Sequence, residues 1–333
     1  MAPEILGESK TDRLHQHPAH HHPAAIGREK RTRDMALGYD QQLFILAFDH
    51  RGSFQKKMFG IPGDPSPEES AKIVDAKALI AEGFARALSD GASTQSCGLL
   101  VDEQFGAAVA KAGVAAGQIV AMPVEKSGLD YFDFEYGDAF GEHIESFNPT
   151  FSKILVRLNP EGNAEDNAKS LVGLKTLSDW LKANDRKFLL ELLVPGEPHQ
   201  IEAAGGEDAY DTNLRPELMR IAIENMQQAG IEADIWKIEG IDRREDCEMI
   251  SEQARSGGRD GVGCVVLGRG ADDAKVDHWL RTGSGVPGYL GFAIGRSIWW
   301  DQLKGYLDGS LATDVAAAQI SANYRRYIEV YTG

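Results

Sequence analysis

The sequence predicts an α/β fold, a single (β/α)8 TIM barrel, on three observations. From residue 43 onward, short apolar runs alternate strictly with longer amphipathic stretches. There are eight such units, and each short run is apolar at consecutive positions rather than at every second residue, with few polar interruptions. Strands buried on both faces read as continuous apolar runs, and strand–helix alternation with short connections implies parallel pairing. Eight units is the number at which such a sheet closes on itself. An open doubly wound sheet uses similar units but usually fewer strands. The length of 333 residues suits one large barrel as well as two ordinary domains, so the pattern decides.

The predicted strands are 43–48 (LFILAF), 97–101 (CGLLV), 118–122 (QIVAM), 152–157 (SKILVR), 187–193 (KFLLELL), 234–238 (DIWKI), 262–266 (VGCVV) and 288–293 (GYLGFA). Between and after them lie predicted helices near 67–89, 103–112, 138–146, 164–184, 213–229, 242–256, 272–282 and 296–307. An extra C-terminal helix near 310–330 follows. Residues 1–40 are different: five histidines between His15 and His22 and a basic run at Arg28–Arg33 leave nothing to bury. They predict a disordered His-rich and basic tail, with the barrel over 41–333. Met35, just ahead of the folded sequence, reads as an alternative start.

Composition excludes several classes of function. A net charge of -16 argues against a nucleic-acid binder, since phosphate backbones select basic surfaces. No apolar run reaches the ~20 residues of a membrane span, and the N-terminus lacks the apolar core of a secretory signal. A cytoplasmic protein is expected. Cys97, Cys247 and Cys264 are far apart, which fits neither a disulfide framework nor a thiolate zinc site. No His/Asp/Glu set has metal-ligand spacing, and neither GxSxG nor a P-loop is present, so neither metal nor cofactor is expected.

Barrel enzymes carry their reactive groups at the C-terminal strand ends, where a polar residue in an apolar run stands out. Strand six, DIWKIEG, embeds Lys237 among apolar neighbours. Burying an amine disfavours its ammonium form, and a neutral amine can condense with a ketone to an iminium. The competing reading is a structural ion pair with Glu239 or Glu191. Strand five carries Glu191, either a proton shuttle of raised pKa or a charge partner for Lys237 or Lys153. On strand four, alternation puts Lys153 and Arg157 on one side. Lys153 is then a second cation beside Lys237, or the partner of a carboxylate. Strand one ends with Asp49 and Arg51 on one face. Arg51 offers a planar fork for a substrate carboxylate or phosphate, or a loop-fixing salt bridge. His50 points away from them by alternation and reads as structural.

An anionic substrate on an acidic protein needs its own cluster of donors. Strands seven and eight supply one: Gly268-Arg269-Gly270 and Gly295-Arg296 both precede helices, where barrels frequently bind phosphate. Ordinary strand-to-helix turns with solvated arginines are the alternative. Glu103, Gln104 and Lys126 are weaker candidates, and Lys126–Tyr136 is either a lid or aromatic packing on the rim.

The pieces AFDHRGS (47–53), GLLVDEQFG (98–106), KILVR (153–157), LLELLVP (189–195), DIWKIEG (234–240), LGRGA (267–271) and GFAIGRS (291–297) carry a family resemblance. Over about residues 40–330 the chain resembles the class I, Schiff-base aldolase barrels that include tagatose-bisphosphate and sulfofructose-phosphate aldolases. It is most similar to the 2-deoxy-5-keto-gluconate 6-phosphate aldolase-like domain of myo-inositol catabolism, found alone or fused behind a sugar kinase. The resemblance implies that Lys237 forms the Schiff base, with Glu191, Lys153 and Asp49 as the accompanying catalytic residues and Arg296 on the phosphate. It implies a carbon–carbon lyase that splits a phosphorylated keto sugar acid into dihydroxyacetone phosphate and malonate semialdehyde. It also implies a homo-oligomer. This chain departs from the sugar-bisphosphate aldolases at His50, where they tend to have Gln, and at Arg269, where their turn has no arginine. Another sugar phosphate, a metal-dependent lyase or isomerase, or a non-catalytic sugar-phosphate-binding partner of a kinase are the alternatives.

Overall fold

The computed structural model describes residues 36–333; most of the predicted tail, up to residue 35, lies outside the described residues. Eight parallel strands close into a barrel in sequence order, with β8 pairing β1. They are β1 (Leu43–Ala47), β2 (Cys97–Leu100), β3 (Ile119–Pro123), β4 (Phe151–Arg157), β5 (Lys187–Leu193), β6 (Ile235–Glu239), β7 (Gly263–Leu267) and β8 (Tyr289–Ile294). The helices are α1 (Gly52–Phe59), α2 (Pro67–Ser89), α3 (Glu103–Ala115), α4 (Phe140–Phe147), α5 (Ala164–Ala183) and α6 (Pro198–Ala204). They continue as α7 (Glu207–Asn213), α8 (Arg215–Gln228), α9 (Arg244–Arg255), α10 (Asp273–Gly283), α11 (Arg296–Leu307) and α12 (Thr313–Thr332).

Every predicted strand forms, within a residue or two of its predicted bounds. The predicted helices form as well, and local chemistry explains where they start. Ser66 closes a capping box with Glu69 ahead of Pro67, and Asp102, Asn163 and Asp272 each accept backbone N–H groups at the starts of α3, α5 and α10. The sequence did not announce α1, α6 and α7. They are short, of eight, seven and seven residues, and too brief to show a helical apolar stripe.

Alternation along the strands makes two cores. Inward residues Leu43, Ile45, Phe151, Leu189, Ile235 and Val265 fill the lower barrel. Their neighbours Phe44, Leu190, Trp236 and Phe292 face out and pack under the helices. Residues 36–40, assigned to the tail by composition, are ordered beneath the barrel. Gly38 N–H donates to Asp234 Oδ1 at 2.8 Å, Tyr39 N–H to Gly261 O at 2.8 Å, and the Tyr39 ring meets Phe151 edge-on at 5.3 Å. Specific backbone partners order a stretch whose composition alone promised nothing. The C-terminal helix α12 lies on α2, where Ile320 crowds so close to Gly83 that a Cβ there would stand 2.5 Å away. The Tyr324 hydroxyl donates to Phe44 O at 2.6 Å.

One buried cation fastens the helical layer to the top of β1. Lys77, fully buried on α2, donates to Phe48 O at 2.9 Å and His50 O at 3.0 Å, and pairs with the buried Asp102. Its removal leaves Asp102 charged without a counter-ion, the costly way to break a buried pair. Lys77→Met is expected to lower stability by about 3–5 kcal/mol in urea unfolding at neutral pH. A loss below about 1 kcal/mol, the level of a surface pair, would contradict this account.

Candidate active site

The inward face of the strands carries the polar residues only near its upper end. Register pairs Glu191 with Lys237 across β5 and β6, and Leu155 with Glu191 across β4 and β5. Lys153, Glu191 and Lys237 therefore rise into one ring, with Asp49 just above β1 and Glu125 just above β3. Lys237 Nζ and Lys153 Nζ both lie 3.0 Å from the same Glu191 Oε2. Lys153 also meets Asp49 Oδ2 at 2.8 Å and Glu125 Oε1 at 3.0 Å. All five side chains line a cavity of about 580 Å³ at the C-terminal mouth of the barrel.

Electrostatics assigns the protons. Burial works against the Lys153 ammonium, but Asp49, Glu125 and Glu191 outweigh it and hold Lys153 above the usual lysine range. Burial would also raise Asp49, yet Lys153, Lys237 and His50 hold it below the usual carboxylate range. Glu191 follows the same pattern, with Lys153 and Lys237 overcoming its burial. Glu125 goes the other way: burial, helped by Asp49, prevails over Lys153 and Arg51 and raises its pKa. Of the two readings the sequence left open for Glu191, these contacts favour the charge partner of Lys237 and Lys153; the carboxylate with a raised pKa is another one. It is Glu125, because Glu191 bridges two ammonium groups while Glu125 has one lysine and a more distant guanidinium.

The four arginines singled out by sequence fare differently. Arg51 is engaged within the protein: it donates to Glu125 O at 2.7 Å and meets Glu125 Oε1 at 3.4 Å and Glu135 Oε2 at 3.1 Å. Arg157 is exposed at the cavity edge and reaches Leu129 O at 3.3 Å. Arg269 has a left-handed backbone (φ 50°) and is drawn sideways to Asp211 on α7 at 2.5 Å and to Glu239 at 3.1 Å. Arg296, like Arg157, makes no salt bridge among the described residues, and donates to Arg269 O at 2.7 Å. The two Gly-Arg turns thus form one unit, with Gly268, Gly270 and Gly295 on the cavity wall. Glycine is required at Gly295, since a Cβ would lie 2.1 Å from Ala47 O, and favoured at Gly270, whose backbone is left-handed at φ 74°.

Two residues gain importance that the sequence did not give them. Glu125 lies four residues past Ala121 on the same inward parity, but the predicted third strand stopped at residue 122, short of it. His50 does pack outward, its ring edge-on to Trp299 at 5.8 Å, yet it also borders the cavity. Its Nδ1 is buried without a partner among the described residues. Burial, reinforced by Arg296, Lys237 and Lys77 against the pull of Asp49, pushes its pKa down to about 4. Of the weaker candidates, Gln104 and Lys126 line the cavity, whereas Glu103 turns away to His143 at 3.2 Å. Lys126–Tyr136 is a folded-back segment. Lys126 N–H donates to Asp133 O at 2.9 Å and Glu135 N–H to Val124 O at 3.0 Å. Its aromatics mostly pack on the rim, Phe134 stacking on Phe140 at 4.2 Å, while Ser127–Leu129 and Tyr131 face the cavity. No group of three metal-ligating side chains occurs among the described residues, and none of the described helices is long and apolar enough to cross a membrane.

A family profile described as "Uncharacterized protein conserved in bacteria (DUF2090)" matches residues 14–333. No curated protein matches the chain. Among solved structures, an archaeal fructose-1,6-bisphosphate aldolase, with its catalytic lysine bound to a carbinolamine intermediate, is similar at 15% identity and a TM-score of 0.54. That match covers 88% of this chain and 94% of the aldolase. A Schiff-base-forming fructose-1,6-bisphosphate aldolase is similar at 14% identity and TM-score 0.54, covering 87% and 94%. The fructose-bisphosphate aldolase of Slackia heliotrinireducens is similar at 16% identity and TM-score 0.51, covering 84% and 86%. At these identities the likeness shows a common fold.

The depressed His50 makes a prediction about acid. Unfolded, the imidazole takes its proton near pH 6.5; folded, it resists until about 4. The unfolded state therefore binds the extra proton across that window, and stability falls as pH drops from 6.5 to 4. His50→Gln is expected to lessen this loss, with no relative change above pH 7, and imidazole NMR shifts should titrate near 4. An imidazole that titrates at or above its ordinary value rules this out.

Proposed function

This chain belongs to the DUF2090 family, and we propose that it is a class I aldolase whose Schiff-base lysine is Lys237. The observation that carries the reading is the contact chain Lys237–Glu191–Lys153–Asp49, at 3.0, 3.0 and 2.8 Å, at the floor of the cavity. A buried amine beside an ionised carboxylate can pass its proton to it and attack a carbonyl. The iminium then draws electrons from the adjacent carbon–carbon bond. The likeness to Schiff-base aldolases supports the same chemistry.

The substrate of this proposal is a phosphorylated keto sugar acid, first of all 2-deoxy-5-keto-D-gluconate 6-phosphate, cleaved to dihydroxyacetone phosphate and malonate semialdehyde. Arg296 and the backbone of Gly268–Gly270 and Gly295 are the anchor for its phosphate, since Arg296 has no acidic partner among the described residues. Arg269 joins that anchor only by leaving Asp211 and Glu239. With Arg51 committed to Glu125 and Glu135, the carboxylate falls to Arg157, which lines the cavity without an acidic partner among the described residues. Asp49 or Glu191 takes the β-hydroxyl proton, as both are ionised. The protein acts in this reading without metal or cofactor, in carbohydrate catabolism such as that of myo-inositol, as a cytoplasmic homo-oligomer.

The test is reductive trapping. Borohydride added to protein and dihydroxyacetone phosphate should leave a reduced adduct that peptide mass spectrometry places on Lys237, and Lys237→Met should abolish both adduct and turnover. A native protein that stays unmodified, beside a known aldolase that is trapped, refutes the proposal. Cleavage of the keto acid phosphate is expected to exceed that of fructose 1,6-bisphosphate in kcat/KM, and Arg157→Ala should narrow the gap by about tenfold or more.

A further inference from the structure

Glu125 is the carboxylate of the cluster with an unused oxygen. It is 7% exposed and lines the cavity. Its Oε1 accepts from Lys153 at 3.0 Å and from Arg51 at 3.4 Å, while its backbone carbonyl takes a second Arg51 contact at 2.7 Å. Its Oε2 is buried and has no partner among the described residues. A bare buried carboxylate oxygen is unfavourable, and a proton placed on it converts an orphan acceptor into a donor. Asp49 and Glu191 have no such vacancy of role. Lys153 holds Asp49, and two ammonium groups share Glu191.

The groups facing Glu125 come from three directions. Lys153 reaches it from β4, Arg51 from the turn after β1, and Asp49 from the end of β1. Glu191 stands behind Lys153, and Glu135 behind Arg51. The two cations favour the carboxylate; burial and Asp49 favour the acid and prevail.

We propose that Glu125 is the proton donor of this site and that Lys153 returns its proton. The proposal rests on the Schiff-base reading of Lys237. Asp49 takes the β-hydroxyl proton, the O–H electron pair becomes the carbonyl bond of the departing aldehyde, and the carbon–carbon pair moves into the enamine. Glu125 then delivers its proton to the enamine carbon. A C–H bond forms from the enamine π pair, the nitrogen lone pair restores the iminium, and Glu125 is left as carboxylate. Lys153, bonded to both acids at 2.8 and 3.0 Å, gives a proton to Glu125 as it takes one from Asp49. One proton has passed from the hydroxyl to the carbon, Asp49, Lys153 and Glu125 are back where they began, and water then hydrolyses the iminium to free Lys237 and the ketone. No oxidant, reductant or co-reactant other than water enters.

The experiment separates this step from iminium formation. Full-length protein is incubated with dihydroxyacetone phosphate in deuterium oxide. Exchange of the carbon-bound proton next to the carbonyl is followed by NMR, and borohydride adducts by mass spectrometry. Glu125→Gln keeps an oxygen for Lys153 and Arg51. It is expected to form the Lys237 adduct while exchanging about 100-fold or more slowly than the native protein. In the native protein, exchange should rise with pH while adduct yield does not, because in this direction Glu125 must be the carboxylate that takes the carbon-bound proton. A variant that forms the adduct and exchanges at the native rate overturns the proposal, as does native exchange that stays level from about pH 5 to 9. A native protein that forms no adduct fails earlier and refutes the Schiff-base reading instead. The pH profile needs no variant, so it decides the matter even if Glu125→Gln does not fold.

Discussion

The ammonium of Lys153 holds the upper barrel together. It is 2% exposed and touches three carboxylates from three other strands, so β1, β3, β4 and β5 meet at one nitrogen. Neither side of this contact is tolerable alone. A lysine buried without anions would lose its charge, and three carboxylates packed without a cation would repel one another. Because the geometry must satisfy both, it also fixes Glu191 against Lys237, and so defines what surrounds the proposed nucleophile. Lys77 performs a related task one layer out, tying α2 to the turn that presents Asp49 and Arg51.

Much of this was legible in the sequence, for a definite physical reason. Strands of a closed parallel barrel are apolar on both faces, so a charge within one interrupts a run that has no other reason to break. Lys237 and Glu191 show themselves that way, and period-two alternation adds Lys153 and Asp49. Glu125 escaped because it lies beyond the apolar run of its strand, where its parity still points inward but no contrast marks it. The short helices α1, α6 and α7 escaped because two turns are too few to show a period.

What the sequence could not resolve was the use of each arginine. Gly-Arg at two successive strand ends looks like a doubled anion site. In the structure one guanidinium is bound sideways to Asp211 and Glu239, while the other has no acidic partner among the described residues and holds the first one's carbonyl. Arg51 likewise had two readings, and its bonds to Glu125 and Glu135 favour the one in which it fastens a loop. Side-chain partners come from distant parts of the chain: Asp211 is 58 residues from Arg269, and Glu135 is 84 from Arg51. No local pattern encodes such pairings.

The cavity wall reverses the sign of the molecule around it. Seven cationic side chains and five acidic ones border it, on a chain whose net charge is -16. Within a Debye length, roughly 8 Å, of the outer surface a small anion is repelled by the acidic excess; at the mouth it meets the cationic excess of the wall. For the proposed anionic substrate, attraction then acts at the mouth rather than at long range. Added salt should relieve the outer repulsion more than it weakens the sheltered inner attraction. Capture of the proposed anionic substrate would thus respond to ionic strength in the direction opposite to that of a basic protein.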